Sequence, residues 1–419
     1  MCYQNMFEEI TPSAWVLIAF SFFCTFGVSV VFPYIPVHAQ EIGIPLALIG
    51  NLVVVYYLLQ AFARVPLGKL SDKLDYHRPV FIGSVCFVLS AIAFLASSQW
   101  WFLLFVGEFF LGLANSITWV TIPSFITNVP RAISVQTFAL GVGWALGSPI
   151  GGYIKDAVGI EGVFSTLLVA SILLCILSFL FYHYQSESQT FPRSVLYFFG
   201  KEWSLPMSLP LYPALSSYAE AWNLFKVNLE LMYAALFSFL VFMTFGLGSS
   251  IVPLYFTEVG LSAFLIGILI SLRTVTSTTI RLLYSRIVTR LGDRPTLGFA
   301  TFFVGICMIA LANTESTALL TLFSGMWGLS SGLYLPVVFN VIRKNTSKNE
   351  RGLAMGIRGT LGTFGAAFGT WAFSGLAGFF SLSIALTLAG ITAALGSILL
   401  SLFSSRMTGA GDSTGDVKK

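Results

Sequence analysis

The sequence predicts an all-α membrane protein: twelve transmembrane helices arranged as two pseudo-symmetric bundles of six. Three observations predict it. Of the 419 residues 56% are hydrophobic and only 10% are charged, whereas a soluble domain carries about 25% charged residues, so a water-facing surface cannot be built from this chain. Apolar runs of 18 or more residues, each long enough to cross a bilayer, recur from end to end, and mean hydropathy is +0.85. The turn chemistry of the first half returns in the second.

The runs lie near residues 14–37, 46–67, 79–98, 101–126, 133–154 and 162–183, then 231–256, 262–284, 295–313, 317–341, 352–375 and 379–403. In hydrocarbon the backbone must satisfy its own hydrogen bonds, which makes each run a helix. The first run follows Glu8 and Glu9 with no Lys or Arg before it, and reads as a retained helix rather than a cleaved leader. Residues 1–185 form an N-terminal six-helix bundle and 230–405 a C-terminal one. Between them, 186–229 is a linker with Pro192, Pro206, Pro210, Pro213, Trp203 and Trp222, a composition suited to segments lying on the cytoplasmic membrane face. The tail, 406–419, reads as disordered.

Charge placement predicts orientation. Lys69, Lys73 and Arg78, then Arg131, Arg193, Lys201 and Lys226, then Arg286, Arg290 and Arg294, then Arg343, Lys344, Lys348 and Arg351, and finally Arg406, Lys418 and Lys419, all fall on one side of the predicted spans. The opposite turns offer Lys155 among Glu41, Asp156, Glu161, Glu258 and Glu315. The positive-inside rule then places both termini in the cytoplasm, with an even number of spans. The net charge of +4 is therefore topology information and does not point to nucleic acid. The five cysteines are scattered and read as small packing residues.

An internal repeat sets the architecture. Aligning Gly43–Gly50 (GIPLALIG) with Gly260–Gly267 (GLSAFLIG) puts Arg64 opposite Arg281, Lys69 opposite Arg286 and Lys73 opposite Arg290. LFVG at 104–107 meets LFSG at 322–325. Two parallel copies about an axis along the membrane normal are expected.

The turn Gly68-Lys-Leu-Ser-Asp72-Lys73-Leu-Asp75-Tyr-His-Arg78 resembles the signature loop of the major facilitator superfamily, a Gly, three residues, an Asp, a basic residue, then a Gly and further bases. This copy has Asp75 where the second Gly is usual. The resemblance implies a gate loop of Gly68, Asp72, Lys73 and Arg78, with Arg64, Arg281 and Arg290 as gate or snorkelling charges. The second-half copy, Ser285 to Arg294, keeps Gly292 and the bases but lacks the Asp, which places any latch in the first half. In the fifth span Gly143, Gly147, Pro149, Gly151 and Gly152 are similar to the Gly-rich, Pro-containing motif of the superfamily's exporters, with Ser148 in the usual place of the Pro. Close helix packing in a carrier of either direction would need the same glycines.

Two charges lie inside predicted spans. Glu108, where related transporters often hold an Arg, is a proton-site candidate, or else lies near enough to the outer face to be solvated. Arg273, near the middle of the eighth span, must find an acid, carbonyls, water or an anionic substrate; it either pairs with Glu108 or binds a substrate carboxylate or phosphate. Arg358 is a third, more peripheral cation. Asn115, Trp119, Asn340, Tyr56, Tyr57 and Tyr334 are candidates to line a pathway, although packing accounts for such residues equally well. Pro33, Pro36, Pro253 and Pro336 interrupt the first, seventh and tenth spans.

The resemblance implies a secondary active transporter of the drug or sugar efflux type, moving a small molecule across the cell membrane by alternating access and coupled to protons. The competing reading within transport is a facilitator or proton symporter importing a sugar or organic anion. A membrane-embedded enzyme is the rival from another class. Against it stand the lack of HExxH, of GxxxxGK[ST] and of a Ser/His pair at comparable depth; the three His residues, His38, His77 and His183, sit near span ends. No metal, cofactor or nucleic acid is expected, and the chain is expected to work as a monomer in the plasma membrane.

Overall fold

The structure, a computed structural model, describes residues 10–71, 76–126, 130–187, 225–226, 228–347 and 350–412. The helices are α1 (Pro12–Val31), α2 (Tyr34–Glu41), α3 (Leu46–Ser71), α4 (His77–Ala96), α5 (Leu103–Ile126), α6 (Pro130–Val158) and α7 (Ile160–Glu187). They continue as α8 (Leu229–Ser249), α9 (Ile251–Glu258), α10 (Ala263–Ile280), α11 (Tyr284–Leu291), α12 (Asp293–Ala312), α13 (Thr317–Gly332), α14 (Tyr334–Asn345), α15 (Arg351–Phe379) and α16 (Leu382–Asp412). Among the described residues eleven segments are long and apolar enough to cross a membrane. The glycine-rich α15, with 29 residues and so a length of about 43 Å, supplies the twelfth.

Local chemistry explains the ends and breaks, and it repeats. Thr11 caps α1 by accepting from Ala14 N–H, and Asn228 caps α8 by accepting from Glu230 and Leu231 N–H. The turns after α2 and α9 are both Schellman motifs. Ile44 N–H donates to Ala39 O and Gly43 N–H to Gln40 O, as Leu261 N–H does to Phe256 O and Gly260 N–H to Thr257 O. Gly43 and Gly260 adopt φ of +84° and +87°, which a side chain disfavours. One offset in sequence relates Thr11 to Asn228, Pro36 to Pro253 and Gly43 to Gly260, so the duplication extends to the backbone.

The predicted prolines act three or four residues upstream. Proline has no N–H to give the carbonyl four residues back, so it is tolerated in the first turn of a new helix. Pro253 is the third residue of α9, and α8 ends at Ser249, the carbonyl it leaves unmet; Pro336 sits likewise in α14 after α13 ends at Gly332. At Ser250 the backbone turns to φ −116°, ψ −70°. Pro253→Ala restores one donor and is expected to straighten this span and raise the thermal midpoint by about 1 kcal/mol of stability; a fall would mean that packing, and not the missing N–H, holds the break.

The chain divides into two compact units. The first comprises 1–32 and 62–219, the second 33–61 and 220–419. The segment Pro33–Ala61, which the sequence groups with the N-terminal bundle, thus packs in the second unit, through several contacts. Tyr34 Oη donates to Ala263 O (3.1 Å), Tyr57 and Ser249 share a hydrogen bond (3.0 Å), and Gly50 lies so close that a Cβ there would come within 2.4 Å of Ser374 Cβ.

In the first unit the dominant pairs are α1 with α6, α4 with α5, and α7 with both α1 and α4. Along α1, Ser21, Thr25 and Ser29 stand one turn apart and face α6: Gln136 Nε2 donates to Ser21 Oγ (3.2 Å), Thr25 Oγ1 to Leu140 O (3.1 Å), and Ser29 Oγ to Trp144 O (2.8 Å). Hydroxyls that also bond along their own helix, as Thr25 does to Ser21 O, cost little in hydrocarbon and add polar glue between helices. In the second unit α8 pairs with α15, α12 with α16, and α10 with α13. The α8–α15 and α12–α16 pairs are the repeat-related counterparts of α1–α6 and α4–α7.

The last helix runs on through Asp412, so residues 406–412 are helical where the sequence suggested disorder. No Pro follows Arg406, and propagating an existing helix is far cheaper than starting one. The linker expected over 186–229 falls almost wholly outside the described residues. Cys24, Cys86 and Cys307 are buried free thiols, in keeping with packing roles.

Candidate functional site

Each unit contributes a separate cluster. In the first, α5 carries Glu108, Asn115 and Trp119, which fall within about 40° of one another around the helix axis at about 100° per residue. Glu108 has no exposed surface, and neither of its oxygens has a hydrogen-bond partner among the described residues. On the same helix Leu104 and Leu111 are fully buried, and beside it Phe94 from α4 fills the space at Gly107, where a Cβ would come within 2.3 Å of its ring, while Ser90 Oγ donates to Gly107 O. Asn115 is buried and Trp119 is 40% exposed, so the stripe runs from a dry carboxyl to an open indole.

The sequence-predicted packing motif lies against α1. A Cβ on Gly143 would stand 2.3 Å from Thr25 Oγ1 and 2.6 Å from Phe22 O, and one on Gly147 2.6 Å from Phe26 O. Ser148, the residue in the usual place of the Pro, shares a 2.7 Å hydrogen bond with Ser29. Pro149 leaves α6 unbroken, and Gly151 and Gly152 are buried.

In the second unit Arg273 projects from α10 between two rings. Its Cζ lies 4.5 Å from the Trp327 ring centroid on α13 and 5.5 Å from that of Phe245 on α8. A Cβ on Gly248 would meet Arg273 Nη1 at 2.0 Å, so only a glycine leaves the guanidinium this position. Among the described residues Arg273 makes no ion pair and no side-chain hydrogen bond. Arg358 Nη1 donates to Tyr334 Oη (3.4 Å), which joins two candidates that the sequence left apart, and Arg358 Cζ lies 5.2 Å from the Phe339 ring centroid.

Asn340 is placed elsewhere than expected. Its Nδ2 donates to both oxygens of Asp293 (2.9 and 3.1 Å), and Lys344 Nζ reaches the same carboxylate at 2.5 Å. Asp293 opens α12, where the helix N-terminus also favours a negative charge. Beside it Arg294 forms a two-pronged ion pair with Glu230. Glu230, Asp293, Arg294 and Lys344 border a pocket of about 470 Å³. The second-half turn, which lacks the Asp at the motif position, thus carries an acid, Asp293, three residues after Arg290 and next to Arg294. Asp293→Asn is expected to cost about 1 kcal/mol, since Lys344 is 56% exposed and regains water; a calorimetric or fluorescence melt measures it.

Of the gate residues, Asp72 and Lys73 lie outside the described residues, and Gly68 falls within α3. Arg64 and Arg78 are half-buried, Arg281 Nη2 donates to Ser277 Oγ (3.4 Å), and Arg290 is exposed. Sequence reasoning missed Trp327, Phe245 and Gly248, since nothing local marks an aromatic residue or a glycine as the neighbour of a distant Arg. Glu230 and Asp293 were more accessible, each standing at the start of a helix.

The model of the Major Facilitator Superfamily matches residues 17–259 and 234–413. The chain belongs to this superfamily. Superfamily relatives by sequence include the multi-drug resistance efflux pump PmrA of Streptococcus pneumoniae, 24% identical over 335 residues, which cover 77% of this chain and 78% of that one. The purine ribonucleoside efflux pump NepI of Escherichia coli K12 is 24% identical over 177 residues, 40% of this chain and 44% of its own. Superfamily architecture is also evident in solved structures. The nucleoside transporter NupG superposes with a TM-score of 0.68 at 16% identity, covering 95% of this chain and 99% of its own. A POT family transporter in complex with 5-aminolevulinic acid gives 0.70 at 14% identity, covering 94% and 95%. Membership makes this chain a multi-pass membrane transporter for a small molecule.

Proposed function

We propose that this chain is a proton-coupled exporter, exchanging an outgoing small molecule for an incoming proton by alternating access, as a monomer in the plasma membrane with both termini cytoplasmic. The observation that carries the proposal is Glu108. A carboxylate in hydrocarbon is costly unless it is protonated, paired or wetted. Glu108 has neither a partner among the described residues nor exposed surface, so in this reading it holds a proton in the state described and releases it when α5 moves.

Outward direction is supported by the likeness of the Gly143–Gly152 motif to that of the superfamily's exporters and by two relatives that are named efflux pumps. The gate reading of Asp72, Lys73, Arg78 and Arg64 remains part of the proposal, with Asp293, Lys344, Glu230 and Arg294 as the matching ionic cluster of the second half. The test is proton release into the lumen of proteoliposomes loaded with a trapped pH dye, after compounds are ranked by their stabilisation of the purified protein. Solute movement that never carries a proton would reject coupling. A facilitator of an organic anion is the second reading, favoured by one observation, Arg273 stacked against Trp327 with no acid paired to it among the described residues.

A further inference from the structure

We propose that the niche around Arg273 is a substrate subsite for an organic anion with a planar aromatic body; this names a substrate class within the transport reading above. Arg273 sits near the middle of α10, and its guanidinium stays protonated throughout the physiological range. A charge at that depth without an acid is expensive, and charges inside spans pair with one another, with carbonyls or with what passes through. Among the described residues no acid or carbonyl accepts from it.

The niche is built to hold the charge rather than hide it. Trp327 is 2% exposed and serves as a fixed platform beneath the guanidinium. Gly328 brings α13 against the base of Arg273, since a Cβ there would stand 2.3 Å from Arg273 O, and Gly248 vacates the space that Nη1 occupies. Stacking on an aromatic face uses the flat side of a guanidinium and leaves its in-plane N–H donors for a planar oxyanion. Among the described residues the Tyr57 phenol, which shares a hydrogen bond with Ser249, is an ionisable neighbour of Arg273, and no acid pairs with the guanidinium. Such a site selects a carboxylate, sulfonate or phosphate ester on a flat apolar body and rejects cations. Exchange of one such monoanion outward for one proton inward moves charge in a single electrical sense, so an inside-negative potential would assist it.

The experiment uses the purified full chain in detergent and three probes with one ring system and different charge: 2-naphthoate, 2-naphthylmethylamine and 2-naphthylmethanol. Thermal midpoint and tryptophan fluorescence are followed. We expect 2-naphthoate to raise the midpoint and the amine and alcohol to do little. Arg273→Gln should weaken 2-naphthoate about 10- to 100-fold, the range of charge-assisted hydrogen bonds, and Arg273→Lys should recover part of it. Without probe, Arg273→Gln should melt at or above the wild-type temperature, because an uncompensated charge has been removed.

Four results overturn the subsite. They are an equal response to the amine or alcohol, a 2-naphthoate response that survives Arg273→Gln, a matching response to inorganic phosphate or to phosphatidylglycerol micelles, and a marked drop in the probe-free midpoint of Arg273→Gln, which would reveal an internal partner. Coupling is read separately as proton flux. A chain that binds 2-naphthoate through Arg273 but moves no proton sinks the antiport reading and leaves the subsite standing.

Discussion

Proteoliposomes carrying Glu108→Gln are expected to exchange substrate across the membrane yet fail to concentrate it when a pH gradient is imposed. The amide is neutral at every pH, nearly isosteric, and cannot cycle a proton. One pH unit is worth about 1.4 kcal/mol per proton, so a one-to-one antiporter sustains about a tenfold concentration ratio per unit, and the variant should fall to a ratio of about one. Folding should change little, because among the described residues Glu108 makes no hydrogen bond that the substitution would break. A variant that still accumulates substrate tenfold would show that the proton travels by another route. One that neither folds nor exchanges would assign Glu108 to structure.

Gly365→Val is expected to lower the thermal stability of the purified protein by about 3 kcal/mol, the upper part of the range for overpacking a close interface. On α15, a Cβ at residue 365 would stand 2.2 Å from Phe239 O on α8, and the backbone on the far side has no room to yield. Gly369, one turn on, meets Met243 O at 2.7 Å, and Gly246 on the opposing helix meets Ala366 O at 2.3 Å, so three glycines hold this pair together. Gly375→Val, in the same helix with nothing within 4 Å of its Cβ, is the control and should stay within about 0.5 kcal/mol of wild type. Equal losses at both positions would point to a helix-wide propensity effect instead of a helix contact.

Much of the framework was legible without coordinates. Runs of apolar residues about 20 long have one way to hide their backbone in lipid, and the turns between them are marked by Gly43, Gly260 and Gly292, all of which take positive φ. The duplicated GIPLALIG and GLSAFLIG turns identified the repeat because capping chemistry is local. The packing role of Gly143 and Gly147 could also be read, since a one-turn spacing of small residues makes a flat stripe on any helix. The equivalent stripe on α15, Gly362, Gly365 and Gly369, was open to the same argument and passed over, having no Pro-containing motif around it.

What could not be read was who faces whom. Asn340 belongs to Asp293 and Lys344 because two helix ends meet there, and its position in a polar-looking span carried no sign of that. Pro33–Ala61 joins the second unit although its neighbours in sequence belong to the first, a choice made by contacts such as Tyr34 with Ala263. The same limit applied to both buried charges. That Glu108 and Arg273 were exceptional followed from the cost of a charge in oil, which residue type and depth alone establish. Whether each is dry, stacked or paired depends on side chains arriving from other helices, and only tertiary packing decides that: Trp327 and Phe245 stand beside Arg273, and no described residue hydrogen-bonds the Glu108 oxygens. Local sequence determined the helices, their caps, their breaks and the duplication, because each depends on residues within a turn or two. The chemistry of the two charges was left to the folded chain, because solvation is a property of neighbours distant in sequence.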